Sequence, residues 1–365
     1  MKWEEFSTEL FDKCRQLRVP YHASFELTPY CNFNCNMCYI HLTPEQAKLQ
    51  GKLLSTDQWL DLTSQAKKLG IITLEVTGGE ATTRSDFQVL YKEFIKSGFL
   101  VTLRSNGYLL SGRNIELLKS YKPRALSVTL YGSSDETYRK VCGVSDGFSV
   151  VSQNIESLLE NGITPRLSMT LTRDNQEDFE ELNIWAKKHG LSIRPFGRLF
   201  TPFKNTNRSI SDLQVDYFSK EPEYDSDLIT VSREIDGYER YKRPFWMCRG
   251  YGSIFSISWD GRVKLCNGFE GLSKDVLSSG LKEAYHSMYK ELDQIKRPEK
   301  CVGCMIADYC YACPKRLYSE TQDLEKTCDS ICRTAQILYR RDMARKNNEK
   351  RTVEESGYLK CTEGE

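Results

Sequence analysis

Residues 21–39 read YHASFELTPYCNFNCNMCY, and the rest of the chain repeats the pattern that begins here. The first part, Tyr21–Leu27, is rich in aromatic and apolar residues and ends at a Thr-Pro turn, which predicts a buried β-strand. Three cysteines, Cys31, Cys35 and Cys38, follow at once with the spacing C-x3-C-x2-C. The sequence therefore predicts a strand that leads directly into a loop able to bind metal.

The succession of a short β-rich run, a polar turn and a helical pattern recurs as far as residue 197. The predicted strands are Tyr21–Leu27, Ile71–Thr77, Phe99–Arg104, Ala125–Leu130, Arg166–Leu171 and Leu191–Pro195. The predicted helices are Thr56–Lys68, Ser85–Ser97, Arg113–Ser120, Phe148–Glu160 and Gln176–Lys188. Such repeats imply a parallel sheet with its helices outside, either curled into a partial barrel or wound on both faces. We predict an α/β fold with a partial (β/α)6 TIM-like barrel, because the unusual residues directly follow the strands.

Composition is typical of a globular protein with reduced thiols. Of the 365 residues, 39% are hydrophobic and 28% charged, which suffices for a core and excludes disorder. The net charge of +1 gives no indication that the protein binds nucleic acid or an anionic membrane. The charged start, Met1-Lys2-Trp3-Glu4-Glu5, is not a signal peptide, and no apolar run is long enough to span a membrane. We expect a cytoplasmic protein without nucleic-acid or membrane partners, whose 14 cysteines mostly bind metal.

Changes of pattern along the chain predict five segments. They are an N-terminal helix over 1–20, the partial barrel over 21–197, a mixed-charge linker over 198–245, a cysteine-rich, loop-rich domain over 246–340 and a charged tail over 341–365. Within the fourth segment, Trp259-Asp260-Gly261 lies between two β-rich runs, Ser253–Ser258 and Arg262–Leu265. An Asp-Gly pair in this position predicts a β-hairpin.

The first cysteine triplet has two chemical interpretations. Three thiolates can bind three corners of a cubane 4Fe-4S cluster and leave the fourth iron open for a small molecule. A structural zinc site needs a fourth protein ligand, and His41 is near enough in sequence to supply it. A Cys3His zinc knuckle is therefore the alternative to an open iron–sulfur cluster.

Residues from about 20 to 197 resemble the radical S-adenosylmethionine (SAM) enzymes, whose signature is this triplet followed by an aromatic residue. Thr77-Gly78-Gly79-Glu80, Ser105-Asn106-Gly107, Ser127-Val128-Thr129-Leu130-Tyr131-Gly132 and Arg139 follow in the family's order. The resemblance implies that Cys31, Cys35 and Cys38 hold a 4Fe-4S cluster that binds SAM. It also implies contacts with SAM from Tyr39 at the adenine, Gly78, Gly79 and Glu80 at the methionine amino group, Asn106 at the ribose, Thr129 in the family's serine place, and Arg139 at the methionine carboxylate. Glycine suits a backbone that approaches a ligand closely.

The resemblance also implies the reaction. The reduced cluster cleaves SAM to methionine and a 5′-deoxyadenosyl radical, which abstracts hydrogen from an unactivated C–H bond. No further catalytic residue is predicted.

A second group of cysteines begins at Cys248 and follows the pattern C-x12-G-x4-C to Cys266. It continues as Cys301-x2-Cys304-x5-Cys310-x2-Cys313, with Cys328 and Cys332 beyond. This pattern resembles the SPASM extension of radical SAM enzymes, which holds two auxiliary 4Fe-4S clusters. The family has C-x3-C where this chain has Cys310-x2-Cys313, and it ends in one cysteine rather than two. A pair of zinc sites is the alternative, because two C-x2-C pairs are also typical of zinc ribbons.

The resemblance implies a ligand set for each auxiliary cluster. The outer cluster would take Cys301, Cys304, Cys310 and Cys328. The inner one would take Cys248, Cys266, Cys313 and Cys332, with exchange of Cys328 and Cys332 left open.

Three cysteines stand apart from both groups: Cys14, Cys142 and Cys361. Cys142 follows the fourth predicted strand and is either a hydrogen-atom donor, as in some radical epimerases, or a buried small residue. The other two are interpreted as ordinary.

The SPASM-like extension favours a maturase that installs an oxidative modification, a thioether or C–C cross-link, in a ribosomally made peptide or protein. The expected partners are the substrate and an electron donor such as flavodoxin or ferredoxin. Because only about 30 residues precede Cys31, leader recognition would come from a separate protein, come from the linker region or not be needed.

Alternatives are a formylglycine-forming sulfatase maturase, a peptide epimerase, or a tetrapyrrole or metabolite modifier. Against the sulfatase maturase, Asn267 follows Cys266 where such relatives place an Asp base. A non-enzymatic iron–sulfur or zinc protein is the last alternative.

Overall fold

The computed structural model describes residues 3–197, 199–200, 210–215, 248, 250–310 and 312–359. These residues divide into two units. The first contains 3–215 and 250–294, and the second contains Cys248 and 295–359. Most of the linker predicted over 198–245 lies outside the described residues, as does Cys361.

The first unit is built on an open sheet of nine strands. They are β1 (His22–Glu26), β2 (Thr73–Thr77), β3 (Leu100–Ser105), β4 (Ala125–Leu130), β5 (Arg166–Thr170), β6 (Ile193–Phe196), β7 (Ile254–Ile257), β8 (Arg262–Lys264) and β9 (Ser273–Asp275). The order across the sheet is β6-β5-β4-β3-β2-β1-β7-β8-β9. Pairing is parallel from β6 to β7 and antiparallel at β8 and β9. The predicted parallel α/β sheet of six strands is confirmed, and the sheet does not close into a full barrel.

Helices follow the strands of the first unit. They are α1 (Trp3–Leu17), α2 (Pro44–Gln50), α3 (Thr56–Leu69), α4 (Phe87–Lys96), α5 (Arg113–Ser120), α6 (Asp135–Cys142), α7 (Gly147–Glu160), α8 (Phe179–Lys188), α9 (Ile210–Leu213), α10 (Val276–Ser279) and α11 (Leu281–Leu292). Local sequence sets their ends: α3 starts at a capping box between Ser55 and Gln58 and stops at Gly70, whose φ is 95°. In the second unit lie α12 (Pro314–Thr321) and α13 (Asp329–Leu359). No helix of the described ranges is both long and apolar enough to cross a membrane.

Strand β7 joins the barrel sheet rather than the cysteine-rich domain in which its residues were predicted. It pairs in parallel with β1, with His22 opposite Ile254 and Phe25 opposite Ile257. The predicted hairpin forms between β7 and β8, and Gly261 occupies its turn with a φ of 81°. Because β1 offers a free edge to β7, residues 250–294 belong to the first unit, whereas the predicted boundary lay at 246.

The two faces of the sheet differ in chemistry. Phe25 of β1 is fully buried between Trp59 of α3 and Phe94 of α4, with ring centroids 5.1 and 5.7 Å away. Residues on the opposite side of the strands, which we call the inner face, are polar and include Glu26 and Glu75. The helix-covered face provides the core, and the inner face is left for chemistry.

Candidate active site

The cysteine loop, residues 30–39, leaves the carboxyl end of β1 and is held there by β2. Gly79 donates its N–H to the Thr28 carbonyl at 2.7 Å, and Glu80 donates its N–H to the Tyr30 carbonyl at 2.8 Å. These backbone bonds extend the strand pairing past the sheet edge. The start of the loop is therefore fixed by the Gly-Gly-Glu segment.

The far side of the loop docks on the last turn of α6. Asn34 donates its N–H to the Cys142 carbonyl at 2.8 Å, and Asn36 donates its N–H to the Val141 carbonyl at 2.9 Å. Carbonyls in the last turn of a helix have no partner within the helix, so the loop supplies it. The two bonds flank Cys35 and fix its position.

An aromatic cluster fills the space beneath the loop. Phe33 is 2% exposed and makes edge-to-face contacts with three tyrosines. The ring centroids lie 5.5 Å away for Tyr108, 6.0 Å for Tyr131 and 6.1 Å for Tyr138. Such contacts add stability beyond simple burial, so the loop has its own hydrophobic anchor.

The three sulfurs of the loop have different surroundings. Backbone N–H groups donate to two of them, from Phe33 to Cys31 Sγ at 3.4 Å and from His41 to Cys38 Sγ at 3.3 Å. Cys35 is buried, and Cys142 and Tyr131 lie near its thiol. The Cys142 contact and burial raise the pKa of Cys35, and burial raises that of Cys31. Binding to a metal would remove these protons, since a coordinating thiol is deprotonated.

The structure adds a steric reason for Gly78 and Gly79. A Cβ on Gly78 would lie 2.6 Å from the Thr28 carbonyl oxygen, and one on Gly79 would lie 2.2 Å from that of Tyr30. Gly78 also has a φ of 137°, which side chains rarely permit. These glycines, predicted to let the backbone approach a ligand, also make room for the cysteine loop itself.

Glu80 ties the ends of β2 and β3 together from a buried position. Its carboxylate is 1% exposed and accepts hydrogen bonds from Thr82 Oγ1 at 2.6 Å and from the Asn106 N–H at 2.8 Å. Ser105 Oγ donates to it as well, at 3.1 Å. Burial raises the pKa of Glu80, while these donors act in the opposite direction. The carboxylate predicted to meet the methionine amino group is thus bonded to donors of the chain itself.

Of the other residues predicted to bind SAM, only some contact the cysteine loop. Asn106 reaches the cysteine loop, where its Nδ2 donates to Asn32 Oδ1 at 2.9 Å and lies 3.7 Å from Cys31 Sγ. Thr129 Oγ1 lies 3.4 Å from Ser168 Oγ on the neighbouring strand. Arg139 is exposed on α6, and no hydrogen bond or ion pair among the described residues joins it to the loop.

Tyr39 lies between the cysteine loop and the inner face. Burial raises its pKa, and the nearby Glu26, Cys38, Glu75 and Cys266 add to the rise. Its ring meets Phe200 at 6.1 Å. Cys266, predicted as an auxiliary-cluster ligand, therefore lies in the same neighbourhood as Cys38.

Sequence reasoning missed a charged group on the inner face. Glu75 Oε2 accepts from Arg104 Nε at 2.5 Å, and Glu75 Oε1 accepts from Asn267 Nδ2 at 2.8 Å. The side-chain amide of Asn267 cannot accept a proton, but it binds the Glu75 carboxylate, which can. Strand alternation could have identified Glu26 and Glu75, because a charge at an inward strand position is unusual in a core.

In the second unit, cysteines gather around two 3-10 turns, Glu299–Cys301 and Ala307–Tyr309. Burial raises the pKa of Cys310 to about 12, and the neighbouring sulfurs that add to the rise are those of Cys301, Cys332, Cys304 and Cys328. Cys332 also lies near Cys301, whose pKa is raised by burial.

Cys328 has a different environment. Its thiol donates to Glu320 Oε2 at 2.7 Å and lies 2.8 Å from Ser330 Oγ. Burial raises the pKa of Cys328, and the Glu320 contact adds to the rise. Cys328 is therefore hydrogen-bonded to polar side chains of the second unit.

A triplet of cysteines anchored at the carboxyl edge of an open parallel βα sheet is the arrangement of a radical SAM domain, and residues 25–186 match the Radical SAM superfamily model. Residues 25–186 therefore form a Radical SAM domain. The chemistry of that superfamily uses SAM and a 4Fe-4S cluster.

Several characterised proteins are similar to this chain. The antilisterial bacteriocin subtilosin biosynthesis protein AlbA of Bacillus subtilis is 26% identical over 311 residues, covering 81% of this chain and 67% of AlbA. A probable GTP 3′,8-cyclase of Saccharolobus islandicus is 29% identical over 283 residues, covering 73% of this chain and 88% of the cyclase.

Solved structures share the fold at lower identity. Streptococcus suis SuiB bound to S-adenosylmethionine superposes with a TM-score of 0.66 at 17% identity, covering 91% of this chain and 83% of SuiB. Native anSMEcpe with bound AdoMet gives 0.62 at 16%, covering 92% of this chain and all of that protein.

Proposed function

We propose that this protein is a radical SAM maturase that abstracts hydrogen from a ribosomally made peptide or protein and installs an oxidative modification, a thioether or C–C cross-link. The observation that carries the proposal is the cysteine loop, anchored on both sides at the carboxyl edge of a sheet with a polar inner face. The subtilosin biosynthesis protein AlbA, and SuiB, solved bound to the precursor peptide SuiA, support a peptide as the substrate.

The similarity of residues 25–186 to the Radical SAM superfamily supports a 4Fe-4S cluster, rather than a zinc ion, in the cysteine loop. The N–H groups of Phe33 and His41 point at two sulfurs, and such bonds favour thiolates.

Cys31, Cys35 and Cys38 would hold the cluster. When bound, the cluster and SAM supply the 5′-deoxyadenosyl radical. The chain's own groups would do the remaining work around it: Asn106 and Tyr39 would contact SAM, and Thr129 would line the inner face. Glu80 would keep the ends of β2 and β3 together, so that the loop does not move during reduction.

A one-electron acceptor is also needed for an oxidative outcome, and two auxiliary 4Fe-4S clusters would provide it. One of them would take Cys301, Cys304 and Cys310, with either Cys328 or Cys332 as its fourth ligand. A flavodoxin or ferredoxin would deliver electrons, and a separate protein would recognise the leader.

The proposal is tested with protein purified and reconstituted without oxygen. We expect about twelve irons per chain, four for each of three clusters, and cleavage of SAM to 5′-deoxyadenosine with dithionite. The short peptides encoded beside the gene are then added, and mass spectrometry should show the loss of two hydrogen atoms for each bond formed. Stoichiometric zinc without SAM cleavage would contradict the proposal.

One observation supports a second candidate, formylglycine formation. That reaction needs a base near the substrate, and Asn267 holds the Glu75 carboxylate at 2.8 Å in the region where an Asp was expected. A Cys-containing sulfatase peptide incubated with the enzyme should then yield an aldehyde that a hydrazine probe detects. If no aldehyde forms while the precursor peptide is cross-linked, this candidate is excluded.

A further inference from the structure

Arg104 of β3 lies on the inner face and uses only part of its guanidinium within the fold. Its Nε donates to Glu75 Oε2 at 2.5 Å, and its side chain is 50% exposed, whereas that of Glu75 is 12% exposed. Among the residues that the structure describes, no hydrogen bond joins Arg104 Nη1 or Nη2 to another group. One nitrogen therefore serves the fold, and the two at the end of the side chain keep their donors for another acceptor.

Arg84 shows how an arginine with a purely structural contact set differs. Its Nη1 donates to the Leu27 carbonyl at 2.9 Å, its Nη2 to the Leu54 carbonyl at 3.3 Å, and its Nε to Asp86 at 2.8 Å. The side chain is only 11% exposed. All three nitrogens of Arg84 thus bind groups of the chain, whereas the end of the Arg104 guanidinium remains available to a group from outside it.

The carboxylate that holds Arg104 is itself held from the other side. Glu75 Oε1 accepts from Asn267 Nδ2 at 2.8 Å, so each oxygen of this carboxylate has a donor. Glu75 lies on β2 and Asn267 beyond β8, so the three side chains come from separate parts of the first unit. A guanidinium fixed in this way has already lost part of the freedom that binding would otherwise remove.

Arginines determine the charge of the inner face from β3 to β6. Arg166 of β5 and Arg194 of β6 are exposed and occupy inward positions, in register with Ser127 and Ser168. Across these four strands, all of them within the described residues, no inward position carries Asp or Glu. This half of the inner face therefore attracts an anion. The end of the Arg104 guanidinium matches a planar carboxylate, which can accept two parallel hydrogen bonds.

We propose that Arg104 binds a carboxylate of the peptide substrate through Nη1 and Nη2, and that Glu75 and Asn267 are positioning residues that hold Arg104 for this contact. The inference rests on the proposed function and extends it by assigning the residue that selects the substrate. The carboxylate belongs to an Asp or Glu side chain of the peptide or to its C-terminus.

The test measures peptide binding to the reconstituted full-length enzyme with SAM and without a reductant. The probe is the fluorescein-labelled precursor peptide that the enzyme modifies, and fluorescence anisotropy gives its Kd. Further probes replace one carboxylate at a time, Asp by Asn, Glu by Gln, or the C-terminal carboxylate by an amide. One replacement should raise the Kd of the wild-type enzyme about 10-fold to 100-fold, the range for a hydrogen-bonded charged group. The replacement that does so identifies the source of the carboxylate.

The enzyme variants are measured with the unaltered peptide and with the peptide that lacks this carboxylate. Arg104→Gln should weaken binding of the unaltered peptide by the same factor and bind the altered peptide as wild type does. Asn267→Ala should weaken binding of the unaltered peptide alone, by a smaller factor. Arg104→Lys keeps the charge without the planar fork, so its Kd should lie between those of wild type and Arg104→Gln. It also provides the comparison if Arg104→Gln does not fold.

Arg113→Gln is the control, because Arg113 is exposed in the first turn of α5. It should leave both Kd values unchanged, and urea unfolding checks that each variant is folded. The inference is overturned if the Arg104 variants weaken both peptides alike, or if no carboxylate replacement raises the Kd of wild type. A wild-type enzyme that cleaves SAM but modifies no peptide would contradict the proposed function and, with it, the inference.

Discussion

The cysteine loop after β1 and the cysteine-rich segment of residues 301–332 differ in what holds their backbone. The loop is bonded to β2 on one side and to α6 on the other, through residues distant in sequence. In the second segment, the backbone bonds around the cysteines are local: Cys301 donates to Pro298, Ala307 to Cys304, and Cys310 to Ala307. One site is held by the rest of the fold, whereas the backbone bonds of the other are local, so we expect the second to need its metal more for order.

The largest effect expected from this difference is on catalysis. Replacing Cys31, Cys35 and Cys38 by Ala should abolish 5′-deoxyadenosine formation, because no cluster would bind SAM. Replacing Cys301 and Cys304 by Ala should spare SAM cleavage and abolish the modified peptide. One chromatographic assay measures 5′-deoxyadenosine and the modified peptide together. If both variants lost SAM cleavage and peptide modification equally, the two groups of cysteines would not differ in role.

Removing iron should separate the two regions physically. Treatment with a chelator without oxygen should speed proteolysis of the segment 295–332 by ~10-fold or more, equivalent to at least about 1.4 kcal/mol, while cuts in the barrel stay as slow as before. The reason is that metal binding contributes folding energy only where the site lacks other support. Mass spectrometry of a timed digest locates the cuts, and the untreated enzyme is the control. Faster cleavage in both regions would show that the loop, too, needs its metal.

Gly79→Ala tests how tightly the loop is held. The new methyl would meet the Tyr30 carbonyl, so the bonds from Gly79 and Glu80 must lengthen, and we expect a loss of about 2–4 kcal/mol. Gly162→Ala is the matched control: it has open space but a φ of 71°, and should cost about 1–2 kcal/mol from backbone strain alone. Urea unfolding of both proteins measures the difference. Equal costs would mean that the close approach at Gly79 is unimportant.

The smallest effect concerns the second unit, where Asp342 of α13 holds Tyr309 near the cysteines. Asp342 is buried and accepts from Tyr309 Oη at 2.5 Å, Lys346 Nζ at 2.7 Å and Arg345 at 3.1 Å. Burial opposes its charge, but these donors hold its pKa well below the ordinary range. Because its pKa is lowered in the folded state, Asp342 stabilises the fold at pH values above its pKa in the unfolded chain, near 3.9. This stabilisation is lost as the pH falls below that value.

Asp342→Asn should therefore destabilise this unit by about 2 kcal/mol at neutral pH and remove the acid dependence. Hydrogen exchange of α13 at pH 7 and pH 3.5 provides the measurement. If the variant kept the pH dependence of the wild type, Asp342 would not be its cause.

Much of the barrel could be predicted because its signals are local. Helix α5 has the predicted bounds Arg113–Ser120, and β4 those of Ala125–Leu130, since alternation and helical periodicity are visible within each run. Parallel pairing of β7 with β1 was missed, because nothing near residue 254 says which strand it will join. The short helix α6 was missed as well, although Ser134 is a typical N-cap.

The same limit applied to the site. Cysteine spacing is readable from the chain, so the triplet and the later cysteines were singled out. Contacts between distant positions were not, and these include Asn267 with Glu75, 192 residues apart, and Asn36 with Val141. Sequence therefore singled out candidate groups for the chemistry and missed the contacts that orient them.

Pairing of β7 with β1 has a consequence for synthesis of the chain. Strand β1 lies in the middle of the sheet, yet its second neighbour is made only when residues 254–257 have left the ribosome. Until then the nascent barrel exposes the edge of its first strand, and an exposed edge invites pairing with other chains. Contacts so distant in sequence also slow folding. The wait for one four-residue strand is thus a step at which we expect this protein to be exposed to aggregation.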